Sequence, residues 1–391
     1  MVITMSPDVV IRPCPTYDLQ ICRSALISCL APLGGLSWVH PGMRIGIKAN
    51  LVSAMDPKKA ATTHPVLLKA LVELLLERGA AVVIGDSPGG LYTAAYVGRI
   101  YRATGMHETG AELNRDFSVA ECEDPSSLVC KQFTYTAWLD GCDALINFCK
   151  LKSHGMMGMS DTAKNLFGVI PGAMKPEYHF RFSDPRDFAS MIVDLDQHFK
   201  PRLNLVDAVV GMEGNGPTAG TPKPLGCILA GESPHAVDLL CAALIGLAPA
   251  EIPTLQAAIE RGLCPDQHTS LNIDGPWEQC VCQDFALVRE RSGLQFQNKM
   301  PGKAGELFSA FLSRYLASRP QVQKALCIGC RKCAQVCPAK AIEMRRGKPS
   351  IRHQVCIRCF CCQEFCPKGA MKVSRSSLAS LLVPDARRKK K

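Results

Sequence analysis

A cysteine run that occurs twice near the C-terminal end restricts the possible fold of this chain more than any other feature. The run CIGCRKCAQVCP begins at Cys327, and CIRCFCCQEFCP begins at Cys356. The four aligned cysteines, the closing proline and a later alanine (Ala341 or Ala370) keep the same offset between the two runs. Each run has the spacing C-x2-C-x2-C-x3-C-P. The sequence therefore predicts two copies of one small unit, each organised by its cysteines.

This spacing is that of bacterial iron–sulfur proteins, in which three closely spaced cysteines bind one [4Fe–4S] cluster and the fourth binds the other cluster. The crossed arrangement predicts a first cluster on Cys327, Cys330, Cys333 and Cys366, and a second on Cys356, Cys359, Cys362 and Cys337. Zinc sites are the alternative, but they usually use two C-x2-C pairs a dozen or more residues apart, often with histidine. Cys361 is left over, and we interpret it as a packing residue.

Through these two runs, residues 321–373 resemble the two-cluster bacterial ferredoxin domain. The resemblance implies a small, ferredoxin-like α+β fold with pseudo-twofold symmetry. It also implies one-electron transfer at low potential through two [4Fe–4S] clusters. The electron donor and acceptor stay open.

The end of the chain that holds the cysteine runs is strongly basic. Residues 321–391 carry 17 Lys and Arg against three acids, whereas residues 1–320 carry 28 bases and 32 acids. Opposite charges attract over a distance and speed association, so we expect an acidic redox partner of the ferredoxin or flavodoxin type. Residues 374–391 end in RRKKK and are predicted to form a disordered basic tail. The absence of aromatic residues between these bases argues against a nucleic-acid partner.

Composition indicates a globular chain in a reducing compartment. The 391 residues are 47% hydrophobic, which is enough for one large domain or two smaller ones. No apolar run approaches the roughly 18 residues of a membrane span, and the N-terminus lacks the basic and apolar stretches of a secretory signal. Twelve cysteines are scattered outside the two runs, and in a chain of this length we interpret them as reduced thiols. The expected location is the cytoplasm.

Residues 1–320, which we call the body, alternate strand-like apolar runs with helical periodicity. This alternation is typical of βα units, so we expect an α/β fold with a largely parallel sheet, followed by the small cluster domain at 321–373. Predicted strands lie at 43–48, 80–85, 144–148, 203–210 and 226–230, and predicted helices at 64–78 and 234–247. We also expect a long loop after Phe148 and an amphipathic connector at 306–319.

Several phrases in the body occur together in one known family. They are KANLV at Lys48, GDSP at Gly85, KLKSH at Lys150, KNLFG at Lys164, VDAVVGMEGNGPTAGT at Val206 and AVD at Ala236. With them the body resembles, over nearly its whole length, the prokaryotic family known as domain of unknown function 362. The resemblance implies an α/β fold and a ferredoxin segment as a common companion, but no established reaction.

Each of these phrases follows an apparent strand, and open α/β sheets bind their ligands at the carboxyl ends of strands. We therefore predict one cleft for a phosphate, a carboxylate or an anionic cofactor, because glycines let backbone N–H groups approach an anion. The predicted binding residues are Lys48, Ser87, Gly89, Asn165, Gly214 and Gly216, and the catalytic candidates are His154, Lys150, Lys152 and Lys164. The alternative is that the lysines are solvated and the glycines only shape turns.

His154 is the best candidate for a general acid or base, because it is expected in a glycine-flanked loop beside two lysines. Asp207, Glu213 and Asp238 are carboxylates near strand ends or helix starts, and for Asp238 the alternative to a catalytic role is an interaction with a helix dipole. A dinucleotide site is poorly supported, since no G-x-G-x-x-G motif opens a helix.

Three functions fit these patterns, in decreasing order. The first is an iron–sulfur electron-transfer protein, with a role in anaerobic metabolism, whose clusters exchange electrons with the anion-binding cleft. The second is an oxidoreductase proper, an iron–sulfur-dependent reductase of an unidentified substrate. The third is a redox-sensing or nucleic-acid-associated module.

Overall fold

The computed structural model describes residues 6–287 and 319–374. The chain divides into two compact units, Met1–Leu287 and Val288–Lys391. The predicted connector and basic tail therefore lie outside the described residues, except for Arg319 and Ser374 at their edges.

The described body contains strands and helices in alternation. Its strands are β1 (Val9–Pro13), β2 (Arg44–Ala49), β3 (Ala81–Gly85), β4 (Glu112–Leu113), β5 (Val119–Glu123), β6 (Gln132–Thr136), β7 (Ala144–His154), β8 (Gly158–Ser160), β9 (Leu203–Glu213), β10 (Thr221–Gly231) and β11 (Ile273–Asp274). Its helices are α1 (Leu19–Leu30), α2 (Pro65–Leu76), α3 (Ala94–Ala103), α4 (Thr162–Asn165), α5 (Lys175–Arg181), α6 (Pro185–Phe199), α7 (Pro234–Leu244) and α8 (Pro253–Glu260).

Side chains that satisfy the first backbone N–H groups fix where several helices begin. Asp18 accepts hydrogen bonds from the backbone N–H groups of Gln20 and Ile21 at the start of α1. Ser233 caps α7 in the same way. His64 caps α2 through its ring nitrogen, and proline occupies the first turn of that helix, where no N–H is needed.

One sheet crosses the body in the order β11-β1-β10-β9-β7-β2-β3-β4, with β8 paired to β7. The pairs β2–β3, β2–β7, β3–β4, β7–β9 and β1–β11 are parallel, which confirms the expected largely parallel α/β sheet. β10 is antiparallel to both of its neighbours, β1 and β9.

The predicted loop after Phe148 is wrong, because β7 continues to His154. β7 is buried from Leu145 to His154, and it pairs with β9 on one side and with β8 at its end. These pairings give the backbone N–H and C=O groups of β7 their hydrogen-bond partners. The lysines of this segment, taken alone, would instead indicate a solvated loop. Lys150, Lys152 and His154 are therefore strand residues.

Apolar side chains cover both faces of the sheet. On one face, buried residues of α1, α2 and α3 pack against residues of β2 and β7 such as Ile47 and Phe148. On the other face, α7 and α8 pack against residues such as Ile11 and Val206. Cys22 and Cys29 lie in the first of these layers, as core residues of α1. This layered core positions the ends of β2, β3, β7 and β9 beside one another.

The cluster domain is a small α+β unit. Its elements are β12 (Arg319–Val322), α9 (Lys332–Gln335), β13 (Ile342–Arg345), β14 (Lys348–Ile351), α10 (Cys361–Glu364) and β15 (Met371–Ser374). β12 pairs with β15 and β13 pairs with β14, both antiparallel. The short helices α9 and α10 occupy equivalent places in the two cysteine runs. Across residues 6–287 and 319–374, no helix combines the length and apolarity needed to cross a membrane.

Candidate functional site

The eight predicted cluster cysteines line two separate cavities in the crossed pattern. Cys327, Cys330, Cys333 and Cys366 line the first cavity. Cys356, Cys359, Cys362 and Cys337 line a second cavity, and the leftover Cys361 lines it as well. Each cavity thus has one cysteine of the other run, Cys366 in the first and Cys337 in the second.

The way the cysteines surround these cavities fits a cluster better than a single metal ion. Among the described residues, no three His, Cys, Asp or Glu side chains converge closely enough to bind one ion. A mononuclear zinc site brings its sulfurs to about 2.3 Å from a single point. A [4Fe–4S] cube instead keeps its four thiolate ligands apart, each on its own iron, so thiols around an open volume suit it.

The alanine that recurs after each run has a defined place. The backbone N–H of Ala341 lies 3.2 Å from Cys337 Sγ, and the N–H of Ala370 lies 3.2 Å from Cys366 Sγ. Both alanines are buried. Hydrogen bonds to cluster sulfurs are one of the means by which a protein sets cluster potential. The repeat therefore includes a hydrogen-bond donor for each of the crossing cysteines.

The two cavities differ in their surroundings. The first run carries exposed Arg331 and Lys332 between its ligands, and Ile328 beside them is 61% exposed. At the equivalent places the second run has Phe360 and Cys361, which are 2% and 1% exposed. The first run thus carries two exposed cations at positions where the second run has buried, uncharged residues.

In the body, Lys48 at the end of β2 is buried and pairs with a carboxylate. Its Nζ lies 2.7 Å from Asp86 Oδ1, 2.8 Å from the Ala49 carbonyl oxygen and 3.3 Å from Asn165 Oδ1. Burial lowers the pKa of Lys48, and Asp86 opposes this effect. Gly168 covers the pair so closely that a Cβ there would lie 2.3 Å from Asp86 Oδ1.

Lys150 forms a second buried ion pair on β7. Its Nζ lies 2.9 Å from Asp207 Oδ2 on the neighbouring strand β9 and 2.7 Å from the Tyr17 hydroxyl. Tyr17 donates to Asp207 Oδ1 and stacks on the ring of His64 at 3.6 Å. Burial lowers the pKa of Lys150 and raises that of Tyr17. The carboxylate Asp207, noted in the sequence, is thus the counter-ion of Lys150.

Asparagines connect these groups at the carboxyl ends of the strands. Asn50 Oδ1 accepts from Lys152 Nζ at 2.6 Å, and Asn50 Nδ2 donates to Asn165 Oδ1 at 2.8 Å. Asn165 in turn donates to Asn147 Oδ1 at 2.7 Å, and Asn147 donates to Asn204 Oδ1 at 2.9 Å. Lys152 also donates to the Ala61 carbonyl oxygen. The structure therefore brings Lys48, Lys152 and Asn165 together in one buried network that we call the polar centre.

His154 lies at the end of β7 and is 1% exposed. Its Nδ1 accepts from the backbone N–H groups of Met156 and Met157 at 3.1 and 3.2 Å. This nitrogen therefore serves the turn that leads into β8.

The glycines and the serine of the predicted anion site bond within the body. The N–H of Gly214 donates to the Ala286 carbonyl oxygen, and the N–H of Gly216 donates to that of Gly214. A Cβ at Gly216 would lie 2.0 Å from the Ser153 carbonyl oxygen, so close packing explains this glycine. Ser87 Oγ accepts from the Gly172 N–H at 2.7 Å.

Gly89 and Glu213 also make hydrogen bonds within the body. The Gly89 carbonyl oxygen accepts from the Tyr96 hydroxyl at 2.8 Å. Glu213 accepts from the N–H of Ala286 at 2.6 Å. The first contact joins the loop after β3 to α3, and the second joins the end of β9 to the loop that holds Ala286.

Asp238 belongs to a buried acidic group on the other face of β7. It accepts from the N–H groups of Thr162 and Ala163, and thereby fixes the start of α4. Cys149 donates to Asp161 Oδ1 at 2.7 Å. Burial raises the pKa of Asp161 to about 6 and that of Asp238 well above its ordinary value. Asp238 thus acts on a helix N-terminus, as the dipole interpretation suggests, but on that of α4 rather than of its own helix.

Two partly exposed lysines lie at the edge of the polar centre. Lys164 Nζ lies 5.1 Å and Lys175 Nζ 5.3 Å from the ring centroid of Phe167. Lys175 also donates to the Ser87 carbonyl oxygen at 2.5 Å. The charge of Lys164 is near enough to lower the pKa of Lys48. Sequence patterns identified Lys164, but they gave no indication of Lys175, which follows no strand.

Comparison with known proteins finds a family match in the body and another in the cluster domain. Residues 45–243 match the family described as domain of unknown function 362, and residues 319–367 match the 4Fe–4S dicluster domain. The chain belongs to the domain of unknown function 362 family. The fusion expected from the sequence is confirmed, and the C-terminal domain is an iron–sulfur electron-transfer module.

Among curated proteins, this chain is similar to the thylakoid-associated protein of Synechocystis sp. The two are 30% identical over 264 residues, which cover 64% of this chain and 78% of that protein. Among solved structures, the lactate racemase apoprotein from Thermoanaerobacterium thermosaccharolyticum aligns with a TM-score of 0.37 at 13% identity. That alignment covers 61% of this chain and 57% of the racemase chain, so the chain spans less than two thirds of it.

Proposed function

We propose that this protein transfers electrons through two [4Fe–4S] clusters. The observation that carries the proposal is the pair of cavities in the cluster domain, each lined by the first three aligned cysteines of one run and the fourth of the other, with Cys361 also lining the second cavity. Cys327, Cys330, Cys333 and Cys366 would hold the first cluster, and Cys356, Cys359, Cys362 and Cys337 the second. The clusters supply one-electron transfer, while the chain supplies their ligands and the N–H donors of Ala341 and Ala370.

The first cluster is the one that exchanges electrons with a partner protein in this proposal. Cys330 is exposed, and the apolar side chains of Leu326 and Ile328 are 50% and 61% exposed beside it. Arg331 and Lys332 add exposed positive charge. An apolar centre with a charged rim is the usual composition of an interface between proteins. An acidic, one-electron carrier protein complements this surface.

The anion site of the body is proposed at the edge of the polar centre. Lys48 and Lys150 have carboxylate partners, which reduces the positive charge that they offer to a ligand. Lys164 and Lys175 are both partly exposed and converge on Phe167. Two ammonium groups on one aromatic ring suit a phosphate or a carboxylate. Electrons would pass between the clusters and a ligand held there.

Stopped-flow reduction by a flavodoxin in its reduced state tests the electron-transfer role. We expect the second-order rate to fall steeply as salt rises, because attraction between charges is screened beyond about 10 Å at 0.1 M. The double variant Arg331→Glu/Lys332→Glu should be slower at low salt and nearly independent of salt.

The matched control is Arg345→Glu/Arg346→Glu, which changes the same charge at exposed positions outside the cysteine runs. It should keep most of the wild-type rate. If the wild-type rate does not depend on salt, or if the two double variants lose the same fraction of the reduction rate, electrons use another route.

A further inference from the structure

The two cysteine runs of the cluster domain carry different charges at equivalent positions. Arg331 and Phe360 both have a left-handed backbone, with φ of 63° and 56°. The residues that follow them, Lys332 and Cys361, begin the short helices α9 and α10. Because the backbone follows the same course in both runs, these residues are structural counterparts. A difference between their side chains is therefore a difference between the surroundings of the two clusters.

Positive charge is concentrated at the first cavity. Three of the described residues that line it are basic, namely Arg331, Lys332 and Lys368. Their counterparts at the second cavity are uncharged, namely Phe360, Cys361 and Ala339. A fourth cation lies close by, because Lys348 Nζ donates to the Cys327 carbonyl oxygen at 2.5 Å. The first cluster would therefore have several positive charges near its ligands.

The second cavity has a nearly balanced charge. Among the described residues that line it, only Arg358 is basic, and Gly329 takes its place at the first cavity. Glu364 ends α10, and its negative charge acts on the sulfur of Cys359. The last residue of α9 is instead the uncharged Gln335. Near the second cluster a positive and a negative charge therefore offset each other.

Hydrogen bonds to the sulfurs differ less between the two cavities. The crossing cysteines Cys366 and Cys337 each accept from a backbone N–H at 3.2 Å. Backbone N–H groups also donate to Cys333 in the first set and to Cys359 in the second. The second set has a further donor, the Cys361 thiol, but an S–H group is a weak donor. Charge is therefore the main difference between the two sets.

Exposure to solvent acts in the same direction as charge. Cys330 in the first run is exposed, whereas its counterpart Cys359 in the second is buried. Reduction adds one negative charge to a cluster, and both positive charge and water stabilise the more negative form. The first cluster should therefore accept an electron more readily than the second.

We propose that the first cluster, at Cys327, Cys330, Cys333 and Cys366, has the higher reduction potential, so that the first electron to enter the domain resides there. The second cluster gains an electron only after the first is reduced. When a partner takes the electron from the first cluster, an electron passes from the second to the first, because that direction is downhill. The first cluster is thus the exit and the second a reserve.

This inference rests on the proposed electron-transfer function, since it requires both clusters. An anaerobic redox titration of the reconstituted full chain, followed by electron paramagnetic resonance, tests it. We expect two one-electron steps whose equilibrium constants differ at least tenfold, which is about 59 mV. The separation should shrink as salt rises, because salt screens exposed charges.

Two variants assign the steps to the clusters. Arg331→Gln/Lys332→Gln removes two exposed positive charges at the first cavity and should lower the higher potential more than the lower one. Glu364→Gln gives the second run the residue that the first run has at Gln335, and it should raise the lower potential more than the higher one. Glutamine has nearly the size of glutamate, so this second variant tests charge with little change in packing.

The matched control Arg345→Gln/Arg346→Gln removes the same charge at exposed positions outside the runs, and it should shift both potentials less. A chain that holds about eight iron but titrates in a single step would overturn this inference alone. A chain that cannot hold them would instead overturn the proposed function. The inference also fails if Glu364→Gln moves the higher potential and Arg331→Gln/Lys332→Gln the lower one, since the first electron would then reside on the second cluster.

Discussion

Lys48 and Lys150 are charged groups that the fold keeps from water, each only 1% exposed. Removing a charge from water costs several kcal/mol, which a counter-ion and further hydrogen bonds offset. Lys48 has Asp86 and two further acceptors, and Lys150 has Asp207 and the Tyr17 hydroxyl. These contacts join β2 to the loop after β3, and β7 to β9. The two lysines therefore fix the strand ends that surround the polar centre.

His64, beside this second pair, makes the stability of the body depend on pH. Burial, with a smaller effect of the Lys150 charge, lowers the pKa of His64 to about 4 against the opposing charges of Asp207 and Asp56. The unfolded chain binds a proton at this histidine near pH 6.5. Between these two values the unfolded state holds more protons than the folded state. The free energy of unfolding should therefore fall as pH falls from about 6.5 to about 4.

The variant His64→Asn should flatten this dependence, by at most about 1.4 kcal/mol for each pH unit in the window. Asparagine keeps a side-chain acceptor at the start of α2. The measurement is urea unfolding of wild type and variant across the window. Other groups also contribute to the pH dependence; burial lowers the pKa of His235 to about 4 as well. Their contributions are the same in wild type and variant, so they cancel when one curve is subtracted from the other. Parallel curves would contradict the assignment.

At the scale of elements, the apolar pattern predicts β2, β3, α2 and α7 to within a few residues, because each is a local run of apolar side chains. The same pattern ends β7 at Phe148, six residues early, since Lys150 and Lys152 resemble solvent-exposed residues. Their partners, Asp207 and Asn50, are distant in sequence. Spacing along the chain does not show which charged side chain pairs with which counter-ion. The burial of these lysines therefore could not be predicted from the sequence.

The short helices α4 and α5 carry the proposed anion site, and inorganic phosphate can probe it. A ligand that binds only the folded state stabilises it by about 2.7 kcal/mol at a hundred times its Kd. We expect phosphate to raise the Tm of the body transition in wild type but not in Lys164→Met/Lys175→Met. The control Lys59→Met removes an exposed lysine elsewhere and should respond as wild type does. Equal responses in all three proteins would place phosphate binding outside this site.

On the scale of the whole molecule, the sequence predicts the cluster domain more completely than the body. The proposed ligand sets follow from the spacing of the two copied runs together with the crossed pattern of bacterial iron–sulfur proteins. The ion pair of Lys150 with Asp207 had no such pattern, since β9 brings Asp207 from a distant segment. Functional groups that form only when separate elements pack together require the structure.

The iron and sulfide content of the chain after anaerobic reconstitution tests the central claim most directly. Two [4Fe–4S] clusters predict about eight iron and eight sulfide per chain. Cys361 and Cys362 are adjacent, buried and of equal size, so they form a matched pair. Cys362→Ala should lose about four iron, and Cys361→Ala should keep all eight. Stoichiometric zinc in place of iron, or a greater loss in Cys361→Ala than in Cys362→Ala, would contradict the account.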